Sequence, residues 1–490
     1  MGLKESIKRW LEITPATEQS IRIDADLTHE ESCFESRLWY RGSASEIEQF
    51  YKSITSIHDD SIRSRFWAGV PSEGNKLRKI HSGLAGMMVD ILTSIIMSDL
   101  NKITVDDPSS LADTWDAISK DNKFEDILAQ AIADTLVEGD GAFKISFDKN
   151  VTDYPIIEFY PASRVKYEYS RGRVEAVIFS TRYYVEDDRK EYYLEERYGK
   201  NRIDYKLFDK DGNEHPLSAV PALAEYKPIE WSDDFVMAVP MMFYKSAKFT
   251  GRGRSIFDRK IDCFDAYDEA ISQWQDALRL GRVKRYIPET MIPRDPNTGK
   301  LIAPNPFDNQ FTALASMNTE GAKEQIVTDV PTIDYDGLLK TYVNTLDMCL
   351  QGIVSPSTLG IDVKKLDNAE AQREKEKVTL YTRNKIIDVL NDVIPNLVKN
   401  VMSAYGALTE SPIDVVEASI TFGEYANPSF EAQVETLAKA TQSSLMSVET
   451  MVEELWGDTK DEEWKKEEVA RIKAEKGIID GGEEPPPEVM

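Results

Sequence analysis

The stretch "GRGRSIFDRKIDCFDAYDEAISQWQDALRLGRVKRYIP", residues 251–288, poses the question on which the fold turns. Two glycines and two arginines stand directly ahead of a long amphipathic pattern. A glycine-rich turn that opens a helix is a common way to cradle phosphate. The rest of that chemistry is missing here. A P-loop needs G-x-x-x-x-G-K-[ST], and "GRGRSIF" has neither the lysine nor the spacing. A dinucleotide fingerprint needs a third glycine after a buried strand, and Ile256 stands in its place. "SEGNKLRK" (72–79) and "EGDGAFK" (138–144) fail in the same way, so all three stretches read as turns and helix boundaries. Ser255, with Asp258 three residues on, approximates a capping box. Phe257, Ile261, Phe264, Tyr267, Ile271, Trp274 and Leu278 then keep helical spacing as far as Gly281. That makes a helix of about 24 residues, or ~36 Å.

Downstream, "RVKRYIPETMIP", the turn "DPNTGK" (295–300) and "EQIVTDV" read as a small β-rich insert over 281–332. Helix resumes over 333–354, with Leu338, Tyr342, Leu346 and Leu350 on one side. The two helices flanking the insert are expected to run antiparallel. "SPSTLGIDVKKLDN" (355–368) is a Pro/Ser/Gly-punctuated loop. A helix capped by Asn368 follows to about 406, and Pro395 inside it is expected to kink it. Beyond it come one strand-like run, "EASITFGE", and helices over 429–475, with Thr459 and Glu462 as a capping box. The closing "GGEEPPPEVM" lacks apolar payload, and residues 476–490 read as a disordered tail.

Upstream, "GAFKISFD", "PIIEFYPASRVKYEYS", "VEAVIFSTRYYV" and "EYYLEERYG" carry β-branched and aromatic residues with partial alternation. They make an antiparallel section over about 142–245. Two amphipathic helices precede it. One lies in "KIHSGLAGMMVDILTSIIMSD", with Ile80, Leu84, Met87 or Met88, Ile91 and Ile95 as its stripe. The other lies in "NKFEDILAQAIADTLVEGDG", with Phe124, Ile127, Ile132 and Leu136 on one side and Gly139 at its end. Residues 1–45 mix charge and polarity and read as an arm with room for one short helix. No internal repeat is found.

The chain has 490 residues, 41% hydrophobic and 10% aromatic, and a formal net charge of −27. That apolar share builds real cores. The acidic balance argues against a protein that grips nucleic acid over its whole surface, since phosphate contacts need a basic face. Cys33, Cys263 and Cys349 are too far apart for a disulfide framework, which implies a reducing environment. His29, His58, His81 and His215 lack metal-ligand spacing. No signal-peptide pattern opens the sequence. "LAGMMVDILTSIIM" (84–97) is too short and too interrupted, by Asp90, to span a membrane. Carboxylate pairs such as Asp187–Asp188, Asp233–Asp234 and Glu462–Glu463 are ordinary solvated charge in so acidic a chain. No Ser/His/Asp or Cys/His set stands out, so no catalytic, cofactor-binding or metal-binding residue is assigned. Two basic clusters interrupt the acidic background: Arg279, Arg282, Lys284 and Arg285 where the long helix enters the insert, and Lys364–Lys365 in the loop. Either reads as plain surface charge or as a contact with phosphates or an acidic neighbouring chain.

The serial order of these stretches resembles the portal proteins of tailed bacteriophages, of the siphophage type. "NKLRKIHSGLAGMMVDILTSIIMSD" is similar to the early helices of that family. "LVEGDGAFKISFDKNVTDYPIIEFYPASRVKYEY" is similar to its G-D turn and wing strands. Residues 251–288 resemble its stem helix running into the clip. "SPSTLGIDVKKLDNAEAQREKEK" resembles its tunnel loop and next helix, and "SLMSVETMVEELWGDTKDEEWKKEEVARI" its crown helices. The likeness spans about 45–475; "GRGR" and "NAEAQ" are loose versions of the family's stretches.

The resemblance implies an α+β, mainly helical fold. Its parts would be an N-terminal arm (1–45), a mixed wing (46–250), a stem helix (251–280), a β-rich clip (281–332) and a second stem helix (333–354). A tunnel loop (355–367), a long kinked helix (368–406), a helical crown (407–475) and the tail (476–490) complete it. It implies a structural homo-oligomer, a dodecamer, at one capsid vertex of the virion, assembled in the bacterial cytoplasm, with no enzymatic activity and no cofactor. Double-stranded DNA would pass through it during packaging and ejection. Its partners would be the terminase large subunit, a head-completion adaptor protein, and the major capsid and scaffolding proteins, with no membrane. Lys364 and Lys365 would then face the channel, and Arg279, Arg282, Lys284 and Arg285 would dock partners at the clip. The alternative is a helical scaffold or adaptor protein without a channel; a hydrolase built from spatially assembled carboxylates is a third reading.

Overall fold

The computed structural model describes residues 27–55, 65–69, 77–106, 111–185, 190–232, 235–281, 283–288, 292, 294–300, 312–314, 327–361, 369–410, 413, 417–423, 434, 437–439, 446–456 and 462–476. The chain divides into two compact units, 1–422 and 423–490.

Helix α1 (His29–Arg41) opens the described part of the first unit. Thr28 caps it: Oγ1 accepts from the Glu31 N–H at 3.2 Å, and Glu31 Oε2 accepts from the Thr28 N–H at 2.8 Å. This reciprocal pair satisfies two end donors that the helix itself cannot. Gly42 ends the helix at φ 72°, a conformation that favours glycine. Helix α2 (Ala44–Thr55) follows. Leu38 and Trp39 of α1 and Ile47 and Tyr51 of α2 are buried in the main core. The expected arm over 1–45 therefore differs from the structure at its C-terminal end: residues 29–41 are an integral core helix. Residues 1–26 lie outside the described residues.

Helix α3 (Leu84–Asp99) runs straight into strand β1 (Leu100–Asp106). Its buried side is Leu84, Met88, Leu92 and Ile96, each at most 1% exposed, with Ala85 and Val89 beside them. The stripe expected through Ile91 and Ile95 is thus one residue out of phase. The helix is apolar nearly all round, so spacing alone leaves its orientation open. Helices α4 (Leu111–Asn122) and α5 (Phe124–Glu138) complete the helical layer, and α5 stops at Gly139 as expected.

The strands come next: β2 (Asp140–Ser146), β3 (Ile156–Pro161), β4 (Val165–Ser170), β5 (Arg173–Val185), β6 (Lys190–Gly199), β7 (Arg202–Asp209), β8 (Glu214–His215), β9 (Ile229–Glu230) and β10 (Ala238–Met242). One antiparallel sheet has the order β10-β2-β3; a larger one runs β4-β5-β6-β7-β8, with β9 pairing β7. Tyr192, Leu194, Glu196 and Tyr198 of β6 all face inward, the period of two that a half-buried strand requires. Glu196 sits there only because Lys144 of β2 pairs with it.

Helix α6 (Ile261–Leu280) begins four residues later than its apolar spacing suggests. The expected Ser255–Asp258 capping box does not form. Ser255 Oγ instead accepts from the Phe257 N–H at 3.1 Å within a turn, and Lys260 holds the cap position without a side-chain cap. Strands β11 (Lys284–Pro288), β12 (Thr312–Leu314) and β13 (Val327–Asp329) form a small sheet with β11 central, parallel to β12 and antiparallel to β13. Helix α7 (Tyr335–Leu350) returns along α6, its first turn capped by Asp334 through the Gly337 N–H at 3.0 Å. Lys260 Nζ donates to the Met348 carbonyl at 2.7 Å, while Gly281 at the far end abuts Ile333. The pair is therefore antiparallel.

Helix α8 (Ala369–Leu408) is continuous through Pro395. Ile386, Leu390, Ile394, Leu397, Val398 and Val401 bury one side of it in the main core. Strand β14 (Glu417–Phe422) then pairs antiparallel with β1, Ile420 opposite Ile103. Sequence spacing groups this strand with the C-terminal helices, but its hydrogen-bond partner lies some three hundred residues upstream, within the first unit. In the second unit, helices α9 (Val448–Trp456) and α10 (Glu462–Lys476) pack together through Trp456 and Trp464, ring centroids 5.4 Å apart. Lys465 pairs there with Glu453 at 2.9 Å and Lys473 with Glu449 at 2.6 Å. Thr459 lies outside the described residues.

Candidate functional site

The best-defined polar constellation of the molecule is built where "GRGR" meets the Gly139–Asp140 turn. The Asp140 side chain is 0% exposed. Its oxygens accept from Arg252 Nε at 3.1 Å, from Arg252 Nη2 at 2.9 Å and from the Gly253 N–H at 2.5 Å. Arg252 also donates to the Val165 carbonyl and the Ala162 carbonyl, each at 2.7 Å, and its guanidinium lies 5.1 Å from the Tyr167 ring centre. Burial pushes the Asp140 carboxyl above its ordinary range; the guanidinium and the Gly253 N–H oppose this. His29, beside the same guanidinium, is pushed down to about 4, first by burial and then by Arg252.

The glycines are required by contact. A Cβ on Gly253 would lie 2.0 Å from the Gly139 carbonyl oxygen, and a Cβ on Gly139 would lie 2.7 Å from the Gly253 carbonyl carbon. Gly251 has φ 76°, and its carbonyl accepts from the Tyr169 hydroxyl. The Arg254 N–H donates to the Tyr244 carbonyl at 2.8 Å and the Ile256 N–H to the Leu136 carbonyl at 2.9 Å. The Arg252 guanidinium and the N–H groups of Arg252, Gly253, Arg254 and Ile256 are therefore spent on the protein's own acceptors. A phosphate would find neither a free nest of N–H groups nor an available Arg252, so the loop is a lock between α5 and the approach to α6.

A second constellation lies one turn into α6. Asp265 accepts from the Phe66 N–H at 2.8 Å and the Trp67 N–H at 3.2 Å. Asp268 accepts from Trp67 Nε1 at 3.2 Å and the Ser82 N–H at 2.9 Å, and His81 Nδ1 lies 2.6 Å from its Oδ2. Ser272 Oγ accepts from the Ile80 N–H at 2.9 Å. Lys79 Nζ closes the clasp on the Trp67 and Gly69 carbonyls at 2.9 and 2.8 Å. Burial raises Asp265 to about 6. Three acceptors at helical spacing thus hold the segments around 66–69 and 79–82 against the first turns of α6.

Beyond Ser272 the burial ends. Tyr342 of α7 packs against Tyr267 and Trp274 at 5.4 and 5.7 Å, while Leu280, Tyr335 and Leu339 are 52%, 57% and 49% exposed. Arg279 is half-buried in the last turn of α6. Lys284 and Arg285 open β11, in register with Asp329 and Thr328. Arg279 thus closes α6, and Lys284 and Arg285 follow it in the chain at the end of the hairpin remote from the lock. Arg282, Lys364 and Lys365 lie outside the described residues.

Among the described residues, no group of three or more His, Cys, Asp or Glu is placed to hold a metal. Nor, among them, is any helix long and apolar enough to cross a membrane. Cys33 and Cys349 are buried, and burial pushes both thiols up; Cys263 is half-buried. The lock and the clasp are what sequence reasoning missed. Their only local signals are the paired glycines and the acidic spacing Asp265–Asp268.

Comparison with known proteins adds the family. A phage portal protein model, SPP1 Gp6-like, matches residues 39–481. No curated protein matches the chain. Among solved structures, the neck of a native GTA particle computed with C12 symmetry aligns at 11% identity over 76% of this chain and 89% of that one, TM-score 0.37. The neck of an empty GTA particle computed with C6 symmetry aligns at 13% identity over 81% and 99%, TM-score 0.36. With the family match running over most of its length, this chain belongs to the phage portal proteins.

Proposed function

We propose that the chain is the subunit of a closed ring, a dodecamer, through which double-stranded DNA enters and leaves a capsid. The family match over 39–481 carries this reading; the family is a structural one of the virion and not enzymatic. In it, α6 and α7 are the stem, 281–332 the clip, 355–367 the channel loop, and the helices after Gly423 the crown. The clip is the docking face for terminase during packaging and for a head-completion adaptor afterwards, with Arg279, Arg282, Lys284 and Arg285 supplying the positive charge. The capsid and scaffolding proteins meet the ring's outer face during assembly in the host cytoplasm.

The acidic balance has a role in this reading. Twelve copies carry a formal charge of about −320. Each phosphate that a wall neutralises releases counterions and adds affinity, and affinity in a conduit is friction. An acidic wall leaves DNA surrounded by its own counterions and water. Lys364 and Lys365 touch phosphates at the narrowest point without holding the strand.

Electron microscopy of the purified chain tests the reading. A ring with an axial hole, lined mainly by acidic and neutral side chains, is expected. Compact monomers or filaments point instead to a scaffold or adaptor, and a bore lined with clamping cations overturns the sliding mechanism. A Lys364→Ala/Lys365→Ala ring should assemble but package or retain DNA poorly; parental packaging and retention remove the lysines from the mechanism.

A further inference from the structure

We propose that a groove on the first unit is the seat of this chain's own N-terminal segment, residues 3–12. The groove, of about 860 Å³, lies between β2–β3 and β7, with the 225–231 segment and the end of α8 at its sides. That is the upper end of ordinary ligand-pocket size, ~300–1,000 Å³, with room for a cluster of side chains. Its walls are apolar, from Ile203, Tyr205, Trp231, Met237 and Leu408. At its floor Lys144 is paired with Glu196 and ringed by Tyr160, Phe179 and Tyr198, with Nζ 5.3, 5.9 and 5.8 Å from the ring centres. Asp148, Glu158, Glu196 and Glu225 line it against Lys144 and Lys227, so it is net acidic. Tyr226 and Ile229 stand 43% and 48% exposed on its edge. An occupant must bring apolar side chains and positive charge together.

The sequence holds such a segment outside the described residues. In "LKESIKRWLE", residues 3–12, Leu3, Ile7, Trp10 and Leu11 recur at three to four and share one side of a helix. Lys4, Lys8 and Arg9 outnumber Glu5 and Glu12, a net positive window in a chain of −27. Residues 477–490 carry Asp480, Glu483, Glu484 and Glu488 and no cation, and the groove repels them. Residues 13–26 join the segment to Leu27, the first described residue, and extended they span up to ~45 Å. The docking is of the helix-in-groove kind: Trp10 and Ile7 fill the apolar part while Lys8 and Arg9 meet Glu158 and Glu225. The proposal does not depend on the ring, because the groove belongs to one chain.

Photocrosslinking of the full chain tests it directly. With p-benzoylphenylalanine at position 7, adducts are expected on peptides covering 145–158, 203–231 or 407–408 of the same chain. Deleting residues 2–14, which lie outside the described core, should raise amide exchange across 225–231 at least tenfold and leave 84–99 unchanged. A synthetic peptide of residues 1–14 should restore the protection, and the same peptide with Lys4→Glu, Lys8→Glu and Arg9→Glu should not. Adducts confined to other surfaces, exchange unmoved by the deletion, or equal protection by the charge-reversed peptide overturns the proposal.

Discussion

Arg252→Met isolates the lock. The substitution keeps the length and apolar stem of the side chain but removes the guanidinium that contacts both Asp140 oxygens. Asp140 is then a carboxylate at 0% exposure that has lost its charged donor and keeps neutral ones, the Gly253 N–H and the Tyr167 hydroxyl. Breaking a buried ion pair from one side costs ~3–5 kcal/mol, because the remaining charge has lost its compensation. The Val165 and Ala162 carbonyls lose the guanidinium as well, though Ala162 keeps the Val165 N–H as a donor. The pH dependence has a definite sign. Without Arg252, the folded-state pKa of Asp140 rises far above its unfolded value of ~3.9. A raised carboxylate binds protons more tightly in the folded state, so the penalty is small below about pH 4. It grows as pH rises through the folded pKa, and the variant should be weakest at neutral pH. Asp140→Asn on top of Arg252→Met should recover part of the loss at pH 7, since no charge is left buried. Thermal unfolding and amide exchange over 244–256, followed between about pH 4 and 8, read both effects. An Arg252→Met chain within ~1 kcal/mol of the parent, with no pH trend of its own, refutes the assignment of the lock.

Gly253→Ala should cost ~1–3 kcal/mol by overpacking, because its Cβ meets a backbone carbonyl that cannot rotate away; calorimetry reads it as a lowered Tm. Asp268→Ala leaves the Trp67 Nε1 and the Ser82 N–H without their acceptor and should destabilise by ~2–4 kcal/mol, with proteolysis reporting local release around 66–69 and 79–82. Asp265, raised to about 6, contributes stability that is fully present below its unfolded pKa and lost as pH rises through 6. Asp265→Asn should therefore flatten the pH dependence of Tm between about 4 and 7, and an unchanged profile excludes Asp265 as the titrating group.

Spacing alone made the elements legible wherever one period ruled. Helix α6 follows from Ile261, Phe264, Tyr267, Ile271 and Trp274, and β6 from the alternation of Tyr192, Leu194 and Tyr198. Where two demands overlapped, the reading slipped. Phe257 continues the helical spacing, yet it is buried by a turn whose donors go to Ser255 and Leu136. Helix α3 offers apolar residues on nearly every side, so Ile91 and Ile95 compete with Leu92 and Ile96 until neighbouring elements choose between them. Strand β1 is short, follows a helix without a break, and has its partner in β14; no local pattern carries that information. The capping box of Thr28 and Glu31 lies in a polar stretch whose local pattern gives no reason to expect a core helix. The lock was the least readable feature: Asp140 and Arg252 are 112 positions apart, and each looks like an ordinary surface residue until the glycines bring their backbones together.

That placement bears on how the hairpin α6–α7 can work. From Arg252 to Ser272 the chain is tied by charged and backbone hydrogen bonds at defined angles, to the Gly139–Asp140 turn and to the segments around 66–69 and 79–82. From Gln273 onward α6 has no buried residue, and Trp274 there packs against Tyr342 of α7. Apolar packing is non-directional and tolerates rotation of a helix about its contact; bidentate and multi-acceptor hydrogen bonds do not. A purely greasy socket would let the exit angle of α6 drift, whereas the lock holds the approach to the helix and the clasp its first turns. In the proposed ring this matters geometrically. Every subunit must project its hairpin at one angle for the circle to close, and a small error per copy multiplied around the ring leaves a helix rather than a ring. The exposed Leu280, Tyr335 and Leu339 are then carried at an angle set at the base, where the desolvation of Asp140, Asp265 and Asp268 offsets part of the stability gained.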